Sequence, residues 1–173
     1  MKVYLIRHAD AVPLGERGVT EDAERPLSEK GRQQARAVGA EFQERGLHVD
    51  LLLTSPLLRA RQTGEHMLQA WSGGAPEVRL CYELAPGGKS RNLARFFRDL
   101  GVEDVALVGH EPDLGRFAGW LIGSKKAEIT FAKAGVAFIP CDDGPRKGSG
   151  RLAWLVTPEW FGKAGRKKGG GRG

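Results

Sequence analysis

Two polar residues stand where an apolar run ends abruptly. In KVYLIRHAD, Val3, Tyr4, Leu5 and Ile6 are apolar and β-favouring, and Arg7 and His8 follow at once. Such a run reads as a buried strand, and in an α/β sheet functional groups gather just past the carboxyl ends of strands. Arg7 and His8 then sit at the mouth of a cleft. An arginine fork grips phosphate oxygens, and a neutral imidazole nitrogen is a competent nucleophile. Taken alone, the pair is more simply a strand end with two solvated side chains. The pattern recurs, however: Val105–Val108 (VALV) stops at Gly109-His110. Arg59 in SPLLRARQT lies one helical turn past Ser55, where the free N–H groups and positive end of a helix favour an anion. Glu83 follows a third strand-like stretch and adds a carboxylate. His48 and His66 lack a strand-end setting and read as surface or helix residues, and Arg61 as a surface arginine.

The elements between these residues decide whether they can meet. Ala11–Arg25 is polar with no clear period, so it reads as a long loop of the kind that is functional or mobile. A helix opens after Pro26-Leu27 with Ser28 as N-cap; Ala35, Val38 and Phe42 form its apolar stripe, and Gly46 ends it. Asp50–Thr54 is a second strand, followed at Ser55-Pro56 by a helix whose inner face holds Leu57, Ala60, Thr63, Gly64, Met67 and Leu68. Ser72–Pro76 is a turn and Val78–Tyr82 a third strand. A helix over Asn92–Leu100, the strand Val105–Val108 and a helix from Pro112 to Gly123 come next. Gly135–Pro140 and Arg151–Thr157 form a closing hairpin. The alternation implies an α/β fold with a mostly parallel sheet and helices on its faces. The carboxyl ends of its parallel strands share one side, so Arg7, His8, Ser55, Arg59, Glu83 and His110 are able to converge.

With 173 residues, 40% of them hydrophobic, the chain is sized for one core. No apolar run approaches the ~20 residues of a membrane span, and the N-terminus lacks the pattern of a signal peptide; a cytoplasmic protein is expected. Cys81 and Cys141 have no metal-ligand spacing, so no metal is expected. The net charge is +6. Five of the positive residues, Lys163, Arg166, Lys167, Lys168 and Arg172, lie in the low-complexity stretch Gly162–Gly173; without them the balance is +1. That stretch is expected to be a disordered tail beyond a domain spanning residues 1–161, and charge alone does not point to a nucleic-acid partner.

Four motifs stand in order: Arg7-His8-Ala9; Pro26-Leu27-Ser28-Glu29-Lys30-Gly31 with Gln34-Ala35; Ser55-Pro56-Leu57-Leu58-Arg59-Ala60-Arg61-Gln62-Thr63; and Val108-Gly109-His110-Glu111-Pro112. Together they resemble the histidine phosphatase superfamily, with its phosphoglycerate mutase-like fold. That resemblance implies a three-layer α/β/α sandwich. The short length, the run RHADA and Glu83-Leu84-Ala85-Pro86-Gly87 are similar to its small SixA-type protein phosphohistidine phosphatases. The resemblance implies His8 as the nucleophile that becomes a phosphohistidine. Arg7, Arg59 and His110 would surround the phosphoryl oxygens, helped by the Glu111 N–H. No metal or other cofactor is implied. The expected substrate is a phosphohistidine in a partner protein or, alternatively, a small phosphoester, handled by a monomer. Ala9 stands where a glycine is common. The proton donor is open between Glu83, Asp10 and neither, because a leaving imidazole needs less help than an alkoxide.

Overall fold

The computed structural model describes residues 1–71 and 74–161. Gly162–Gly173, read above as a tail, and part of the Ser72–Pro76 turn lie outside the described residues. The elements are β1 (Lys2–Arg7), α1 (Glu29–Glu44), β2 (Leu51–Thr54), α2 (Leu58–Leu68), β3 (Glu77–Leu80), α3 (Ser90–Arg98), β4 (Asp104–Gly109), α4 (Asp113–Leu121), β5 (Val136–Pro140) and β6 (Trp154–Val156). Six strands form one sheet in the order β3-β2-β4-β1-β5-β6. The first four run parallel, and β5 and β6 continue the sheet antiparallel.

Strand alternation builds the layers. Val3, Leu5, Leu51, Leu53, Val105 and Leu107 face a core completed by Leu93 and Phe97 of α3 and Leu114 and Phe117 of α4. Tyr4, Ile6, Leu52, Ala106 and Val108 face the other way, against Ala35, Val38 and Phe42 of α1 and Ala60 and Met67 of α2. Successive side chains point to opposite faces of a strand. A run that is apolar throughout is therefore needed where both faces are covered, and β1 and β4 are such runs. The result is the three-layer α/β/α sandwich expected from the motifs.

Helix ends follow the sequence signals. The Ser28 hydroxyl caps α1 by accepting from the Gly31 N–H at 3.0 Å. At the other end Leu47 N–H reaches Phe42 O at 2.8 Å and Gly46 N–H reaches Gln43 O at 3.1 Å, with Gly46 at φ +61°. This is a Schellman close, which needs a left-handed residue at that position. The third strand differs from expectation. It ends at Leu80, and Tyr82–Leu84 is a short 3-10 turn. All four β3 residues are exposed, and the strand is an outer edge of the sheet. The third helix starts two residues earlier than its apolar spacing suggests, and Pro112 is the N-cap of α4 rather than its first turn.

Gly31 has a role of contact rather than flexibility. A Cβ there would stand 1.9 Å from the Asp10 carbonyl oxygen. Helix α1 thus lies directly on the loop that follows β1. Gly31→Ala is expected to cost about 3 kcal/mol, as overpacking against backbone does, read as a lower urea midpoint at an unchanged m-value.

Candidate active site

The sheet register brings the two histidines together. Arg7 of β1 pairs with Gly109 of β4, and His8 N–H continues the ladder to Gly109 O at 2.9 Å. His8 and His110 therefore leave adjacent parallel strands at the same level, and their ring centroids are 5.0 Å apart. On the other side of β4, Thr54 pairs with Val108. That sets Ser55 beside His110, where its hydroxyl lies 2.8 Å from His110 Nε2.

Two partners fix the tautomer of His8. Its Nδ1 lies 2.8 Å from the Ala9 carbonyl oxygen, which can only accept, so Nδ1 carries the proton. Arg59 Nε–H donates to His8 Nε2 at 3.3 Å, which marks Nε2 as the nitrogen with the lone pair. Burial, followed by the nearby Arg59 and Arg7 charges, lowers the His8 pKa to about 4 against a weaker upward pull from the Ala9 bond. Burial, then the neighbouring His8 and Arg59, lowers that of His110 to about 3. Both rings are neutral near pH 7, and His8 Nε2 has the electronic form of a nucleophile.

The arginines reach the same point from different elements. Arg59, on the first turn of α2, is buried. The rest of its fork is held by Asp22: Nη1 donates to the Asp22 carbonyl at 2.7 Å and Nη2 to its carboxylate at 3.0 Å. Arg7 Nη1 donates to Phe131 O at 2.7 Å, while Arg7 Nε and His110 Nδ1 are buried with no hydrogen-bond partner among the described residues. Phe131 N–H in turn donates to the Glu111 carboxylate at 3.0 Å. Burial raises the Glu111 pKa against that bond and the Arg7 charge. Ala134, at φ +56°, directs its N–H to the Arg7 and His8 carbonyls at 3.1 and 3.2 Å. A non-glycine residue in this region is strained and is held there by its surroundings.

A bracing layer lies behind these groups. Thr63 Oγ accepts the Ala9 N–H at 3.0 Å, Gln62 accepts the Leu27 N–H at 2.7 Å and Gln34 accepts the Asp10 N–H at 3.0 Å. The motif residues on α1 and α2 thus pin the peptides around His8. The Asp10 carboxylate receives Ser28 Oγ and Lys133 Nζ. Burial pushes its pKa up, but these two partners outweigh burial and hold it below the ordinary value, which disfavours Asp10 as a proton donor. Glu83 borders a narrow crevice together with His110 and Asp113, and its carboxylate accepts the Cys81 thiol at 3.5 Å. Arg61, read as a surface residue, is half-buried with its Nε enclosed.

The structure thus brings together Arg7, His8, Arg59 and His110, which the sequence singled out, and adds Asp22, Phe131, Lys133 and Ala134, which it did not. Asp22 sits in an aperiodic loop, and the Phe131–Ala134 segment carries no pattern that ties it to β1. The bracing role of Gln62 and Thr63 could have been sought in their place directly after Arg59.

The arrangement is two neutral imidazoles, one with an aimed lone pair, and two guanidinium groups. It is able to take a tetrahedral oxyanion and form a bond to its central atom. The sequence matches the family model described as histidine phosphatase superfamily (branch 1) over residues 3–85. It is also 36% identical to an uncharacterized Picosynechococcus protein over 93% of this chain and 99% of that one.

The chain belongs to the histidine phosphatase superfamily.

Within it, the chain is 25% identical to the phosphohistidine phosphatase SixA of Escherichia coli, over 91% of this chain and 94% of that protein. A structure of the protein histidine phosphatase SixA complexed with tungstate superposes with a TM-score of 0.80 at 25% identity, covering 91% of this chain and 97% of that one. The protein is therefore a SixA-like phosphatase of the superfamily. Among the described residues no group of three or more His, Cys, Asp or Glu side chains is set to hold a metal, and no helix is long and apolar enough to cross a membrane.

The depressed histidine pKa values set the pH behaviour. After correction for substrate ionisation, kcat/KM on an aryl phosphate should hold level down to about pH 5 and fall only near pH 4, where His8 takes up a proton. Stability follows the same groups. The unfolded chain protonates both histidines near 6.5, while the folded chain waits until about 4 and 3. Within that window the unfolded state binds more protons, so stability falls as the pH drops from about 6.5 towards 4. A urea midpoint that rose on acidification through this range would contradict the buried, neutral pair.

Proposed function

We propose that this protein hydrolyses phosphohistidine in a partner protein, through a covalent intermediate on His8. His8 Nε2 attacks phosphorus and forms the N–P bond as the substrate imidazole, protonated on its other ring nitrogen, takes the electron pair of the broken N–P bond and leaves neutral. Arg7, Arg59, His110 and the N–H of Glu111 stabilise the equatorial oxygens of the in-line transition state. Water then attacks the phosphoenzyme, releasing inorganic phosphate and restoring neutral His8. The observation that carries the reading is the fixed tautomer of His8, with Nδ1–H tied to Ala9 O and Nε2 facing Arg59. The likeness to SixA supports the choice of substrate.

A second reading, a phosphatase of small phosphoesters, draws support from the Ala11–Arg25 loop. Its Asp22 reaches Arg59, so the loop is within range to close over a small substrate. An alkoxide leaving group needs a proton, and Glu83, beside His110 in the crevice, is the candidate donor. Turnover of a histidine-phosphorylated protein against a panel of small phosphoesters separates the two. With Glu83→Gln, alkyl phosphate turnover should fall about 100-fold, the scale of general acid catalysis, and phosphohistidine turnover by much less. Equal losses on both would make Glu83 a structural residue.

A further inference from the structure

The crevice beside His110 does not end at Glu83. Ser90, the first residue of α3, lines it and also lines a shallow groove of about 370 Å³ that runs across α4. Arg91, Trp120 and Lys147 line this groove and continue into a second one of about 230 Å³. Arg95, Arg98 and Arg146 border the second groove, and Arg116 and Lys125 the first. All seven cations are exposed, and among the described residues no acidic side chain lines either groove. Arg98, Arg116 and Arg146 each pair with a neighbouring aspartate, Asp99, Asp113 and Asp143. Arg91, Arg95, Lys125 and Lys147 form no ion pair among the described residues. Like charges gathered on one face repel one another, and an anionic partner relieves that repulsion. None of these seven residues belongs to the basic stretch Lys163–Arg172 of the sequence.

We infer that the α3–α4 face is a docking surface for an acidic protein segment, and that it guides a phosphorylated residue of that segment into the crevice beside His110. The inference rests on the proposed protein substrate. Two observations favour an acidic polypeptide over a nucleic acid. The cationic track runs, by way of Ser90, to the crevice that His110 borders, where a side chain has to be delivered. Trp120, the aromatic residue of the groove, is half-buried and stacked on Phe117 with ring centroids 6.0 Å apart. It forms a floor rather than a projecting platform on which bases would stack.

The test uses the triple variant R91Q/R95Q/K147Q, whose substitutions lie on the exposed surface and outside the catalytic groups. Its turnover of p-nitrophenyl phosphate and its thermal midpoint should match the unsubstituted protein. Two fluorescein-labelled peptides carry one histidine flanked by either eight glutamates or eight glutamines. Each is prepared unphosphorylated and phosphorylated with phosphoramidate, and a phosphoserine version is made in parallel. By anisotropy at low salt the glutamate peptide should bind about tenfold tighter than the glutamine peptide. The triple variant should lose that preference, and salt should weaken the binding. Equal binding of the two peptides, or a preference retained by the variant, would overturn the docking surface. Tighter binding of a labelled oligo-dT that the variant loses, without a glutamate preference, would overturn it in favour of a nucleic-acid surface. Binding is read without turnover, so the substrate assignment fails separately: a glutamate preference with hydrolysis of phosphoserine but not phosphohistidine leaves the docking face standing and removes the phosphohistidine reading.

Discussion

His8→Ala should reduce turnover of p-nitrophenyl phosphate by at least about 10⁴-fold, as loss of a nucleophile does, and should eliminate any acid-labile phosphoenzyme trapped by rapid quench. The expectation follows from the lone pair on Nε2. The other imidazole is placed differently: His110 Nε2 is engaged with Ser55, and His110 Nδ1 is enclosed with no hydrogen-bond partner among the described residues. The fold should tolerate the change. His8 contributes no cap and only a small part of the core, and its backbone N–H bond to Gly109 O survives in alanine. Near-normal melting with no phosphoenzyme is the expected pair of observations. Substantial residual turnover that still passed through a phosphoenzyme would move the nucleophile to another residue.

Arg59→Ala comes second, with an expected loss of about 10³-fold in kcat/KM, the range for removing a positioned donor or arginine from a charged transition state. Arg59 differs from a surface arginine in two ways. It is buried against His8, where its charge is poorly screened. It also presents a planar fork, so Arg59→Lys should recover only part of the loss. The stability effect should be small, about 1 kcal/mol, because the Asp22 side chain that it pairs with is half-exposed and can be solvated. A variant that lost stability and activity in proportion would make Arg59 a structural tie between the loop and α2.

Arg7, His8 and His110 were legible because each sits at a visible break, and Arg59 because it stands at a helix start just past another. An apolar run stops, and a charged or imidazole side chain follows; β1 and β4 both do this. The helices were legible through Ser28, Gly46 and the spacing of Ala35, Val38 and Phe42. The third strand was misplaced because it is exposed on every residue, so Val78 and Leu80 signal no buried face, and Tyr82 lengthened the apparent run. Asp22 and Phe131 stayed hidden for a different reason. Their importance lies in which distant atoms they touch, Arg59 and Arg7, and neither periodicity nor composition encodes such a contact. The basic groove was diluted in sequence. Its cations come from α3, α4, Lys125 and the turn before β6, and only the fold collects them.

The side-by-side exit of His8 and His110 depends on the Arg7–Gly109 pairing. A slip of one residue between β1 and β4 would swap the faces of every side chain on the displaced strand and carry one imidazole away from the other. Assembly of the sheet and assembly of the reactive centre are thus one event, with no misaligned, partly competent form between them. Catalytic competence should be lost in denaturant along the same curve as the sheet itself, so that enzyme activity doubles as a gauge of how much of the population is natively folded.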